Sequence, residues 1–225
     1  GVIYYEDKYI PRDINKSIYY YTLAANQNNS IAQYNLGVIY YEGKYIPRDI
    51  NKSIHYYTLA ANQNHSSAQY NLGVIYYEDK YIPRDINKSI HYYTLAAKQN
   101  FSNALYRLGL LYFYGKHVKC DISKAINYFT LAAKQNNTIA NHSLGIIYYT
   151  GYHVQQDIKK GRDYIMLSTL KNKLPQANYS YGFLLHEGKS VKKDMEGAIH
   201  YYKEASSFNN QYAKNNLGII YKHGY

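Results

Sequence analysis

Apolar positions along this chain recur with helical spacing, two stretches at a time. Ala68, Leu72, Ile75 and Tyr76 fall at i, i+4, i+7 and i+8, which places them on one face of a helix. A second apolar side runs through Ile86, Ser89, Ile90, Tyr93, Ala96 and Ala97, predicting a helix from Asp85 or Ile86 to about Ala97. Between the two lies Tyr81-Ile82-Pro83-Arg84-Asp85. Pro83 cannot extend the first helix, and Asp85 suits the N-cap of the second, its carboxylate accepting from free backbone N–H groups. The same Asp recurs at Asp13, Asp49, Asp121, Asp157 and Asp194.

The pattern is periodic over the whole chain. Gly73 has counterparts at Gly1, Gly37, Gly109, Gly145, Gly182 and Gly218, spaced by 36 residues except for one step of 37. A period in this range means an array of helical hairpins that stack on one another. Thirteen helices are expected, the first of them partial. Gly73 falls inside a helix, where glycine costs about 1 kcal/mol relative to alanine. The expected compensation is close approach of the pair Ala96-Ala97, small residues facing small residues. The one extra residue of the fifth unit falls in Lys171-Asn172-Lys173-Leu174-Pro175, a connection that absorbs an insertion without disturbing packing. The array is expected to be a single domain over 1–225 of about six repeats, truncated at both ends.

Composition adds three constraints. The chain has 33 Tyr and no Trp, so amphipathic rings with hydroxyls that need partners must help build the core. Cys120 is the only cysteine, which excludes an internal disulfide and a multi-cysteine zinc site and favours a reducing compartment. The net charge of +11 is concentrated between about Lys98 and Lys173. This basic centre favours an acidic partner surface, whereas nucleic acid is disfavoured because no dense run of Lys and Arg occurs. No apolar run approaches the roughly 18 residues of a membrane span.

Candidate chemistry is sparse. His55, His91 and His200 occupy one equivalent site, and His117 and His153 another, so repeats hold them roughly 18–20 Å apart, too far to share a metal. No phosphate-binding glycine loop, HExxH or G-x-S-x-G string is present. No catalytic, cofactor-binding or metal residue is assigned, and no enzyme activity is expected. Nine N-x-S/T sequons read as products of abundant Asn beside Ser, with Asn178 inside a packed helix. The expected location is therefore the cytoplasm, with the endoplasmic reticulum lumen as the alternative.

A binding face is sought at first-helix positions off the apolar stripe that vary between repeats. One row is Gln33, Gln69, Leu105, Asn141 and Asn178; a second is Asn35, Asn71, Arg107, Ser143 and Ser180; a third, partly packed, is Tyr41, Tyr77, Phe113, Tyr149 and His186. Amide and aromatic side chains on a rigid curve suit capture of an extended peptide.

The spacing A-x-x-x-L-G-x-x-Y, then Gly, an apolar residue and Asp, then K-A/S-x-x-Y-Y-x-x-A-A, resembles the Sel-1-like repeat, a relative of the tetratricopeptide repeat. One unit carries it on Ala104, Leu108, Gly109, Tyr112, Gly115, Val118, Asp121, Lys124, Ala125, Tyr128, Ala132 and Ala133. Departures are Asp7 and Asp79 in place of the second glycine, the Pro of Ile10-Pro11, Ile46-Pro47 and Ile82-Pro83, and Gly197 in place of Lys. The resemblance implies an all-α, right-handed α-solenoid of stacked antiparallel helix pairs whose first helices line a concave surface. It also implies a non-catalytic adaptor or scaffold for protein–protein interaction, including signalling assemblies. Two alternatives stand beside it: a regulatory or spacer arm of a larger multidomain protein, such as a kinase, and electrostatic binding of an acidic partner by the basic central repeats.

Overall fold

The structure, a computed structural model, describes residues 13–170 and 174–224. The expected partial first helix, with Asp7 and Pro11, and positions 171–173 of the insertion-bearing connection lie outside the described residues. Among the described residues there are twelve helices and no strands. They are α1 (Ile14–Asn26), α2 (Ser30–Glu42), α3 (Ile50–Asn62), α4 (Ser66–Glu78), α5 (Ile86–Lys98), α6 (Ser102–Tyr114), α7 (Ile122–Lys134), α8 (Thr138–Thr150), α9 (Ile158–Thr169), α10 (Pro175–Glu187), α11 (Met195–Ser207) and α12 (Gln211–His223). Two compact units divide the chain, Gly1–Leu108 and Gly109–Tyr225.

Each repeat begins and ends its helices with local chemistry. Asp13, Asp49, Asp85, Asp121, Asp157 and Asp194 all cap a second helix, each carboxylate accepting from the backbone N–H three residues on. Those N–H bonds hold the Asp13 and Asp85 carboxyls below the usual range. Second helices end in a turn at Asn28, Asn64, Asn100, Asn136 and Asn209, all with positive φ. Asparagine is the residue after glycine that best tolerates that conformation.

First helices end at a left-handed glycine, as at Gly43, Gly151 and Gly188, but Asp79 takes its place with φ −68 and ψ 132. The Asp79 N–H still bonds the Ile75 carbonyl, so the helix ends at the same point with an extended cap. Its carboxylate, 2% exposed, pairs with Arg48, whose guanidinium lies 4.7 Å from the Tyr41 ring and 4.8 Å from the Tyr81 ring. The departure from glycine thus creates a clamp between two neighbouring connections.

The packing of the helical glycine corrects the small-on-small expectation. A Cβ on Gly73 would lie 2.5 Å from the ring of Tyr93 in α5, and one on Gly37 the same distance from Tyr57 in α3. A buried tyrosine, not the alanine pair, is what needs the missing side chain. Ser53 and Ser89 lock the same contact by donating to the Gly37 and Gly73 carbonyls at 2.8 and 2.7 Å. The alanine pair serves the next junction: Ala60 and Ala61 are buried with Ala68 and Leu72 of the following first helix. The fifth repeat uses the same geometry with Ile165, which meets Gly145, while Gly161 lies against the backbone of Tyr149.

Outside this core the tyrosines stack in pairs across four of the hairpins. Tyr40 with Tyr56, Tyr76 with Tyr92, Tyr112 with Tyr128 and Tyr148 with Tyr164 have ring centroids 5.8, 5.9, 5.8 and 6.1 Å apart. A lysine lies over one ring of each pair, closest for Lys124 on Tyr112 at 4.0 Å and Lys160 on Tyr148 at 3.9 Å.

Candidate binding face

The first predicted row is buried, which corrects its placement off the apolar stripe. Gln33, Gln69, Leu105, Asn141 and Asn178 are all buried. The amide of Gln33 donates to the Ala25 carbonyl and that of Gln69 to the Ala61 carbonyl, at 3.2 and 3.1 Å. Each then accepts from a glutamine one repeat later, Gln63 to Gln33 and Gln99 to Gln69, both at 2.7 Å. These amides join a first helix to the second helices before and after it. Leu105 occupies the equivalent place without any polar group.

The second row is partly buried and is explained by the core tyrosine of the preceding second helix. Asn71 donates to the Tyr57 hydroxyl at 3.1 Å and Asn216 to the Tyr202 hydroxyl at 3.0 Å. Burial pushes the Tyr202 hydroxyl up to about 12 and raises those of Tyr57 and Tyr93 as well. Where the core residue is Phe129 or Ile165, the asparagine gives way to Ser143 or Ser180. Arg107 breaks the pairing: it bonds Glu78 at 2.8 Å, and the buried Tyr93 hydroxyl has no hydrogen-bond partner among the described residues. Tyr93→Phe is therefore expected to raise stability by about 1 kcal/mol and Tyr57→Phe to lower it by a similar amount. Urea unfolding of the two variants checks this, and equal shifts would contradict the assigned roles.

The third row is half-buried. Tyr41 lies under Arg48 and Tyr77 under Arg84, the latter at 5.5 Å. Tyr149 faces Gly161, and the His186 Nδ1 is 3.4 Å from the Tyr202 hydroxyl. Phe113 alone among these packs on a phenylalanine of the core, Phe129, with centroids 6.1 Å apart.

A row absent from the predicted set follows each helical glycine: Val38, Val74, Leu110, Ile146, Phe183 and Ile219. It is apolar in every repeat, yet Ile146 and Phe183 are 37% and 39% exposed. The repeat alignment carried the signal, since an apolar residue adjoining the glycine lies one step off the core stripe. Within the second unit this row opens into a groove of about 450 Å³ between α6 and α8, floored by Phe129 and bordered by Leu110, Phe113, Tyr114, Ser143 and Ile146. Phe113 and Ser143 are the predicted positions that meet there. His142 also lines the groove; its Nε2 is 3.0 Å from the Ser180 hydroxyl, and burial holds the imidazole below the ordinary histidine range. The histidine comparison above did not single it out because no other histidine shares its repeat position.

Among the described residues no group of three or more His, Cys, Asp or Glu is arranged to hold a metal ion, and no helix is long and apolar enough to cross a membrane.

The sequence pattern of the Sel1 repeat matches residues 1–29, 30–65, 66–101, 102–137, 138–165 and 175–207. Residues 66–101, for example, hold α4 and α5, so one matched unit is one helical hairpin. A search of curated proteins finds no match. Among solved structures the chain is similar to a Sel1 repeat protein from Oxalobacter formigenes, with 31% identity and a TM-score of 0.81 over 86% of this chain and 79% of that one. It is also similar to a protective antigen present in uropathogenic Escherichia coli strains that displays an SLR fold. There the identity is 26% and the TM-score 0.86, covering 100% of this chain but 48% of that one. An immunity protein from Pseudomonas aeruginosa, at 17% identity and TM-score 0.58 over 88% of this chain and 76% of its own length, shares the fold alone.

Proposed function

Because the chain belongs to the Sel1 repeat family, with six repeats matched between residues 1 and 207, we propose that it is a non-catalytic scaffold that holds a segment of another protein along its first helices. Sel1 arrays are in general protein-interaction modules, and the observation that supports this use here is the apolar row of the second unit beside the helical glycines, in which Ile146 and Phe183 are 37% and 39% exposed in successive repeats. A row that the core leaves partly in water in successive repeats gives an extended partner a series of equivalent contacts. Affinity spread over such a row is dominated by apolar burial and changes little with salt, unlike attraction to the basic centre. The test is retention of proteins from source-cell lysate on the immobilised chain at about 0.1 M and 0.5 M salt. A small set of proteins held at both salts is the expected result. Retention only at low salt, or of nucleic acid, would transfer the function to the basic centre and overturn the scaffold reading.

A further inference from the structure

The repeats are near-copies in their core, so a place where several neighbouring positions change together stands out. Around Phe129 the equivalents of residues near Tyr57 change as a group. Glu42 becomes Tyr114, Tyr57 becomes Phe129, Asn71 becomes Ser143, Glu78 becomes Thr150 and Lys80 becomes Tyr152. Three of these remove a charge, and the other two remove a hydroxyl and shorten an amide side chain to a hydroxymethyl. In the Tyr57 repeat the hydroxyl and the Asn71 amide hold one another at 3.1 Å. At Phe129 and Ser143 neither group is present, and the space lies open as the groove above the Phe129 ring.

The rim is apolar and exposed, with Tyr114 at 72% and Tyr152 at 57%, both aromatic where other repeats carry Glu or Lys. The sequence that supplies the groove is basic: between Asp85 and Asp157 the only carboxylate is Asp121, while Lys116, Lys119, Lys124 and Lys134 fall in the second unit before Asp157. Asp121 is engaged, because its carboxylate accepts from the Lys124 N–H at 2.9 Å as an N-cap.

We infer that this groove is the anchor site of the array, taking one aromatic or long aliphatic side chain of a peptide segment whose flanking residues are acidic. The inference rests on the scaffold reading and specifies its principal contact. A cavity of about 450 Å³ accommodates a single large side chain with its backbone at the mouth. Apolar burial supplies the affinity of the anchor, and the excess of lysine over carboxylate in the sequence around it favours an acidic segment.

Fluorescence anisotropy with three labelled synthetic peptides tests it: one phenylalanine between paired aspartates, the same peptide with alanine for phenylalanine, and the same with lysines for aspartates. The first is expected to bind, and each of the others to bind at least about tenfold more weakly, the size of a lost interface anchor. The double variant F129Y/S143N rebuilds the pair found at Tyr57 and Asn71, so it is expected to fold with an unchanged or higher melting temperature and to weaken the first peptide at least about tenfold. Tyr114→Glu, an exposed position that carries Glu in other repeats, is expected to weaken it as well. Equal binding of the first peptide by the parent chain and both variants, or equal binding of all three peptides, would overturn the inference. Absence of peptide binding alongside salt-resistant retention of lysate proteins would sink the anchor site and leave the scaffold reading intact. Absence of both would sink the two together.

Discussion

Alanine in place of Gly73 is expected to cost about 2 kcal/mol or more, whereas alanine in place of Gly182 is expected to cost at least about 1 kcal/mol less. Both glycines lie at the same position of a first helix, so helix propensity favours alanine equally at each. The difference is what stands opposite. A Cβ on Gly73 would lie 2.5 and 2.6 Å from two ring carbons of Tyr93, itself 1% exposed and fixed in the core. A Cβ on Gly182 would meet its nearest atom, a ring carbon of Tyr202, at 3.0 Å, a contact that a small shift of the ring relieves. Gly109 faces Phe129 as closely, at 2.5 Å, so the effect is a property of the repeat and not of one ring. Thermal melts of the two variants beside the parent chain decide the matter. A comparable fall in both would mean that helix backbone, not ring contact, explains the glycine.

Gln69→Ala is expected to cost about 2 kcal/mol, from loss of two hydrogen bonds and a cavity at a site 1% exposed. The Gln69 amide donates to Ala61 in α3 and accepts from Gln99 just after α5, so a single side chain secures both neighbours. Gln69→Leu is expected to cost less, because Leu105 fills the equivalent place in the next repeat. A double-mutant cycle with Gln99→Ala should return a coupling of about 0.5–1 kcal/mol. Additive effects would show that the two amides do not depend on one another, and a loss below about 0.5 kcal/mol for Gln69→Ala would remove the ladder from the account of stability.

Both experiments bear on where the binding face lies. The amide row that looked suited to bonding a peptide backbone is occupied by the protein's own backbone and by the next repeat. The asparagine row is partly claimed by core tyrosines. What remains on the first helices is the apolar row beside the glycines, and the place where it deepens is the repeat in which Phe129 stands for the core tyrosine and Ser143 for the asparagine.

The helices were determined by the sequence itself, because the signals that make them are local and repeated. Apolar spacing, an Asp at every second-helix start and a glycine or asparagine at the turns set the boundaries of each hairpin within a residue or two. The recurrence of those signals specified a stacked all-α array. Partner choice across the helices needed the tertiary structure. A glycine inside a helix announces close approach but does not say whether an alanine or a tyrosine comes near, since both lie on the facing side of the next helix. A polar residue one step from the apolar stripe reads as exposed when its helix is considered alone. Gln69 is buried because two neighbouring helices close over it and offer its amide a carbonyl and another amide. Hydrogen-bond satisfaction between side chains far apart in sequence has no local signature, and it is that satisfaction which separates the face used for folding from the face left for a partner.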